Sequence, residues 1–309
     1  MGSVKFFDKR QTNQTHIFAV AGGSDGAVTE MVKQAIEKKL GRFLLFGGEK
    51  STNIKMKNGQ VTGIPVATAY TEAEQEWVTV IPVENAEDAA EQAALAVKTG
   101  QADILVKGFV PTSSLLHQVL KKEMGLRDSR LLSHLAVFEF PAYHKPLIVT
   151  DCAMNIAPDF DAKCAITENA IEAARKMGIE QPKIAFLSAV EKTSAKMPST
   201  IDAAKLVEYF REKEPTLLTL GPVAMDAAIS KEAAQHKGIE SAVAGDPDIL
   251  VVPNIETGNV LYKTLVYFAQ AKVGSMVVGS KVPIVISSRS DSADNKLTSL
   301  MLTARMVRK

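Results

Sequence analysis

Cysteine is scarce in this sequence. Of 309 residues only Cys152 and Cys164 carry thiols. They form no CxxC pair and no Cys/His metal spacing, so they are expected to be two reduced thiols in a cytoplasmic protein. Long apolar runs are missing as well. No stretch approaches the roughly 20 apolar residues of a membrane span, and MGSVKFFDKRQTNQTHIF at the start lacks the apolar run of a secretory signal. Excess charge of either sign is absent too. Lys plus Arg number 36 against 35 Asp plus Glu, a net charge of +1, which gives no ground for a nucleic acid or an anionic membrane as partner. No internal repeat or low-complexity tract interrupts the chain. With 46% hydrophobic and 23% charged residues, it reads as soluble and globular, long enough for two cores.

Short β-branched runs recur, with helical periodicity between them. HIFAVA (16–21), RFLLF (42–46), WVTVI (77–81), ADILV (102–106), LLSHLAVFEF (131–140), PLIVT (146–150), KIAFLS (183–188), DILVV (248–252), GSMVV (274–278) and VPIVIS (282–287) are expected strands. Val28, Met31, Val32, Ala35 and Ile36 form one helical face. Ala90, Ala93, Ala94 and Val97 form another, and Ile166, Ala170, Ala173, Ala174 and Met177 a third. Alternation of this kind predicts an α/β fold of two mostly parallel-sheet domains with helices on both faces. The charged, glycine-containing segment EMGLRDSR (123–130) is the expected crossing between them. Ligands in such folds sit at the carboxyl ends of strands, and between two domains a cleft is the expected site.

Several loops after strands carry polar chemistry. AGGSDGAV (21–28) is glycine-rich, but Gly22, Gly23 and Gly26 do not space as G-x-G-x-x-G, and no clear acidic residue ends the next strand. A tight strand-to-helix turn fits better than a dinucleotide site. In KGFVPTSS (107–114), Lys107 ends a strand, and Thr112 or Ser113 is placed to cap the helix carrying Leu115, Leu116, Val119 and Leu120. A helix start with a lysine beside it also suits an anion. TDCAMNIAPD (150–159) sets Asp151 and Asn155 after a strand. Asp226 stands near a helix start, and His236 lacks a metal-ligating partner at helical spacing. Asn254, Glu256, Thr257 and Asn259 cluster after DILVV with Gly258 among them, where a ligand can approach the backbone.

VPIVISSRSDSADNK (282–296) is the richest segment. Ser288 offers a rotatable donor and Arg289 a planar fork suited to phosphate. Asp291 and Asp294, at i and i+3, are expected on one helical face. An N-cap with acidic first-turn residues accounts for part of this pattern but not for a Ser-Arg pair at the strand end.

From about residue 100 to the C-terminus, KGFVPTSSLL, SHLAVFEFPAYHKPLIVTDCAMNIAPD, AVEKTSAKMPSTIDA, GPVAMDAAIS, AGDPDILVVPNIETGNVLYK and GSKVPIVISSRSDSADNK resemble the phosphate acetyl/butyryltransferase family, most closely its butyryl branch. The resemblance implies a fold like that of isocitrate and isopropylmalate dehydrogenases. Its first domain is discontinuous, 1–128 plus 276–309, around a second of 129–275, with an active site in the interdomain cleft. It also implies a homodimer or higher homo-oligomer, acyl-CoA, phosphate and acyl phosphate as partners, and no metal or redox cofactor.

Residue by residue, the resemblance places Ser288 near the acyl group and Arg289 near phosphate. It leaves the base toward the coenzyme A thiol between Asp294 and Asp291, because the matching position is Asn295. Where the acetyl branch has a phosphate-binding arginine, this chain has His117, Gln118, Lys121 and Lys122, so Lys107 or one of those lysines takes that role. Asn254 and Asn259 are the expected coenzyme A or substrate contacts. The butyryl branch implies a four- or five-carbon acyl group, with Phe109, Val110 and Leu115 as candidate walls for it. A non-catalytic acyl-CoA-binding protein, a phosphate acetyltransferase and a nicotinamide-dependent dehydrogenase are the rival readings.

Overall fold

Each apolar run becomes a strand with strands as neighbours, because β-branched and aromatic side chains fit a pleated, buried surface. The computed structural model describes residues 6–8, 15–23, 26–47, 69–128, 131–287 and 291–307. In chain order the elements begin β1 (His16–Ala21), α1 (Gly26–Glu37), β2 (Gly41–Phe46), α2 (Glu72–Gln75), β3 (Val78–Ile81), α3 (Ala86–Lys98), β4 (Ile104–Lys107) and α4 (Thr112–Leu120). The middle of the chain forms β5 (Ser133–Glu139), β6 (Leu147–Thr150), α5 (Phe160–Lys176), β7 (Lys183–Leu187), α6 (Pro198–Lys213), β8 (Leu218–Val223), α7 (Met225–Ile229) and α8 (Lys231–His236). It ends with β9 (Ile249–Val251), α9 (Ile255–Tyr267), β10 (Lys272–Val278), β11 (Ile284–Val285) and α10 (Ala293–Ala304).

Two compact units result. The N-terminal unit is Lys9–Ser129 with Gly274–Lys309, and the central unit is Arg130–Val273 with Met1–Asp8. The first residues therefore group with the central unit: Phe7 is buried, its N–H donates to Glu139 at 3.3 Å, and Lys272 Nζ lies 5.8 Å from its ring centre. In the N-terminal unit the strand order is β3-β2-β1-β4-β11-β10, all parallel except β10, which runs against β11. In the central unit it is β5-β6-β9-β7-β8, parallel except for β5.

Helices mostly start where the sequence supplies an oxygen. The side chains of Asn85, Asp159, Ser230, Asn254 and Ser292 each accept the N–H three residues on, satisfying a donor that the helix itself leaves open. The fourth loop helix departs from expectation. Pro111 caps α4 without a side-chain bond, and Thr112 and Ser113 lie inside its first turn. Helix α10 is buried from Lys296 through Ala304. It packs on α1 through Leu297, Leu300, Met301 and Ala304 and on β10 at Gly274, where an added Cβ would meet Thr298 O at 3.1 Å. Its hydroxyls tolerate burial because they bond back along the helix: Thr298 to Asp294 O at 2.7 Å, Ser299 to Asn295 O at 2.9 Å, Thr303 to Ser299 O at 2.7 Å.

No helix among the described residues is long and apolar enough to cross a membrane. A polar clasp holds the strand starts of the central unit. Asp246 accepts from His144 Nε2 at 2.7 Å, from Lys145 Nζ at 3.0 Å and from Lys183 Nζ, while Lys145 also reaches Asp248 at 2.7 Å. Partial burial alone would raise the Asp246 carboxyl. The hydrogen bonds from Lys183, Lys145 and His144 overcome that and hold it well below the usual carboxylate range.

A carboxyl depressed on folding contributes stability that is present above its unfolded value and lost as pH falls toward the folded one. Asp246→Asn is therefore expected to cost about 1–2 kcal/mol near neutrality, roughly 3–6 °C in Tm. The gap to wild type should begin to narrow as pH drops below about 4 and go on narrowing toward pH 2. Thermal unfolding across pH 2–7 checks this, and a gap that ignores pH would dissociate the clasp from the Asp246 charge.

Candidate functional site

In the N-terminal unit the chain steps from β1 to β2 and β3 on one side, then returns to place β4 on the other side of β1. Strand order therefore reverses between β1 and β4, and the carboxyl ends of such a pair are where sheets of this kind carry a ligand crevice. Its floor is a close backbone contact. Gly108 N–H donates to Ala21 O and Phe109 N–H to Gly22 O, both at 2.8 Å. A Cβ on Gly108 would stand 2.3 Å from Gly22 O, and Gly22 itself has φ +82°. The glycines thus serve a tight turn and a backbone approach, as the spacing argued.

Lys107 ends β4 at this crevice. It is 6% exposed, and Nζ donates to Gly108 O at 3.3 Å. Strand β11 is the other neighbour of β4, with Val285 opposite Val106, so Ile286 and Ser287 run alongside the Lys107 end. Ser288 and Arg289 lie outside the described residues. The chain is described again at half-buried Asp291. Ser292 then caps α10, accepting Asn295 N–H at 3.2 Å. Asp291 therefore precedes the helix, and the shared helical face expected for Asp291 and Asp294 does not form. The short serine side chain takes the cap, leaving Asp294 exposed in the first turn.

The lysine alternatives separate. Helix α4 runs away from the Lys107 end, and Lys121 is its C-cap. Beyond it Arg127 bridges to Ser280, which precedes β11, at the amino ends of the strands. Lys121 and Lys122 line a depression of about 430 Å³ there with Arg127 and Asp128, opposite the edge that Lys107 reaches. The sequence reading passed over Lys296. It is 7% exposed, and its Nζ donates to the main-chain carbonyl of Asp291. A lysine opening a helix, where carboxylates are favoured, was the available signal.

In the central unit β6 and β9 are neighbours, so TDCAMNIAPD and PNIETGN, far apart in sequence, come together at their carboxyl ends. Ile255 N–H donates to Ile156 O at 3.0 Å. Asp151 is 3% exposed and saturated: Oδ1 accepts from Ala153 N and Met154 N at 2.9 Å each, and Oδ2 accepts Asn155 Nδ2 at 2.6 Å. It shapes the loop. Gly258 lets α9 approach, since an added Cβ would stand 2.3 Å from Asp151 O.

Asn254 caps α9 through Oδ1, which accepts Thr257 N at 3.0 Å and Thr257 Oγ1 at 2.7 Å. Its amide nitrogen has no partner among the described residues. Asn259 Nδ2 donates to Cys152 O at 3.5 Å. Asp226 at the start of α7 is engaged by Lys237 Nζ at 2.8 Å, which also holds Glu191 of the loop after β7 at 2.8 Å. Burial pushes the Cys152 thiol well above its ordinary value and that of Cys164 up to about 11. Both thiols are free and buried. Among the described residues no group of three or more His, Cys, Asp or Glu is arranged to hold a metal ion.

The family described as "Phosphate acetyl/butaryl transferase" matches residues 5–304. A Bacillus subtilis (strain 168) protein named "Probable phosphate butyryltransferase" is 41% identical over 295 residues, spanning 95% of this chain and 94% of that protein. The crystal structure of a branched-chain phosphotransacylase from Enterococcus faecalis V583 superposes with a TM-score of 0.82 at 38% identity, covering 94% of this chain and 99% of that one. A 4-hydroxythreonine-4-phosphate dehydrogenase from Burkholderia phymatum, at 17% identity and TM-score 0.54 over 96% of this chain and 100% of that one, shares the fold alone.

The crevice makes a prediction about glycine. Gly108→Ala forces two backbones apart and is expected to cost more than about 2 kcal/mol. Gly26→Ala, with nothing within 4 Å of the new methyl, should stay within about 0.5 kcal/mol of wild type. Urea unfolding of both variants checks the contrast, and equal effects would refute the close-contact account.

Proposed function

The chain belongs to the Phosphate acetyl/butaryl transferase family, and from that premise we propose that it moves a short or branched acyl group between coenzyme A and phosphate. The observation that carries the proposal is Lys107, a buried cation at the strand-end crevice beside the end of β11. On this reading Lys107 and Arg289 hold phosphate. A phosphate oxygen attacks the thioester carbonyl, Ser288 donates a hydrogen bond to the developing oxyanion, and the carbon–sulfur bond breaks to release coenzyme A and acyl phosphate.

In reverse, an aspartate takes the thiol proton and the thiolate attacks the acyl-phosphate carbonyl. Asp294 is the proposed base and Asp291 the alternative. Asn254, with an amide nitrogen to donate, and Asn259 are the proposed contacts for coenzyme A. The chemistry is proposed to need neither metal nor redox cofactor and to run in the cytoplasm, where Cys152 and Cys164 stay reduced. A homodimer or higher homo-oligomer is the proposed assembly. The outward face of α9 and its end, with Val260 65%, Tyr267 62% and Phe268 87% exposed, suits such a contact.

Of the three candidate walls for the acyl chain, two are core. Val110 is 1% exposed and Leu115 0%, because α4 packs its inner face on α3. Phe109 is 63% exposed, with its backbone tethered to the β1 loop. The acyl carbonyl carbon bonds the phosphate oxygen in the product, so a chain beginning there lies within reach of a side chain two residues from Lys107.

Purified protein is expected to release thiol from butyryl-CoA only when phosphate is present. Two buried methylenes, at ~0.8 kcal/mol each, should favour butyryl over acetyl by roughly tenfold in kcat/KM. Phe109→Ala should erase most of that preference and spare acetyl-CoA turnover. No phosphate-dependent release from folded protein overturns the reading, whereas a profile peaking at acetyl overturns only the chain length.

A further inference from the structure

Among the described residues three lysines are buried: Lys107, Lys163 and Lys296. A buried ammonium is costly unless it is paired. Lys163 meets that requirement, with Asp202 Oδ2 2.6 Å from its Nζ. Lys296 does not. It is 7% exposed, and the partner of its Nζ is the main-chain carbonyl of Asp291, with no carboxylate in ion-pair range among the described residues. Asp294, two residues before it, is turned to solvent. Lys296 also sits in the opening turns of α10, where the aligned peptide dipoles already leave partial positive charge. Among the described residues, uncompensated positive charge is thus concentrated at the start of α10. Ser287, buried, lies two residues past β11, the strand that runs beside the one carrying Lys107.

We propose that Lys296 is a ligand of the phosphoryl group, holding inorganic phosphate or the phosphate of the acyl phosphate from the α10 side as Lys107 does from the β4 side. The inference rests on the acyltransferase reading for the identity of the anion. A dianion at this point pairs the buried ammonium and caps α10 together. The coenzyme A substrate also carries phosphates, and the same cation chemistry would serve them. Helix α10 follows β11, the strand paired with the one that ends in Lys107, and this connection favours the transferred phosphate.

The test uses the full chain in phosphate-free buffer. Lys296→Met removes a buried charge that meets no carboxylate among the described residues, so its Tm without phosphate should equal or exceed that of wild type. Inorganic phosphate should raise the wild-type Tm and leave that of the variant unmoved. In turnover, KM for phosphate should rise by about tenfold or more while KM for butyryl-CoA stays within about twofold, and Lys296→Arg should recover part of the loss. Should Lys296→Met fail to fold, Lys296→Gln keeps a donor without the charge and gives the same readouts. Undiminished phosphate stabilisation with unchanged phosphate KM would show Lys296 to be a strap on the Asp291 carbonyl and overturn the proposal. A raised KM confined to the CoA substrate would overturn it in favour of coenzyme A phosphates. Absence of turnover in wild type defeats the acyltransferase reading, yet the phosphate-dependent Tm still decides the role of Lys296.

Discussion

The burial of α10 is the constraint on which the N-terminal unit depends. A helix near the end of the chain is covered from Lys296 to Ala304, so the unit has no complete core until residues 274–309 return to residues 9–129. The helix carries serine and threonine where a buried helix would ordinarily carry aliphatic residues. It tolerates them because each hydroxyl finds a carbonyl within its own turn. Ser299 goes further and receives the Ser275 N–H at 2.9 Å, tying the helix to β10. Strand β11 is held by its pairing with β4, and α10 by packing that leaves it nowhere to shift.

The two units handle their strand ends differently. In the N-terminal unit the crevice between the loops after β1 and β4 is floored by main chain, and glycine makes that possible. In the central unit Asp151 spends its whole acceptor capacity on the loop that follows it, which presents Asn155 and lets α9 seat against it. Charged groups hold shape in one unit, while the other buries the cations Lys107 and Lys296.

Most of the fold was legible because its strands are apolar and its helices amphipathic. The failures have physical reasons. LTLGPV was not read as a strand, since Gly221 and Pro222 argue against one; as β8 it lies at a sheet edge, where a missing N–H is tolerated. The helix at 198–213 went unread, its buried apolar face reducing to Ala203, Leu206 and Phe210. The i, i+3 spacing of Asp291 and Asp294 misled because spacing does not reveal where a helix begins, and Ser292 decided that. Val110 and Leu115 were indistinguishable from Phe109 as apolar residues near a lysine, and only packing separates a core residue from an exposed one. Lys296 was passed over because a lysine in a sequence looks solvated by default, even where it opens a helix.

Both cysteines are sequestered, and this matters for a protein whose reaction liberates a thiol. The disulfide of coenzyme A exchanges with any protein thiolate it can reach, releasing one coenzyme A thiol, at a rate set by thiolate fraction and access. Cys152 is 1% exposed and its thiol is held well above the ordinary range; Cys164 is 6% exposed and is pushed up to about 11. Neither presents a thiolate at neutral pH, so the protein is insulated against covalent capture by the disulfide form of its own product. Cys152, whose carbonyl receives Asn259, lies beside a proposed coenzyme A contact without becoming a redox liability.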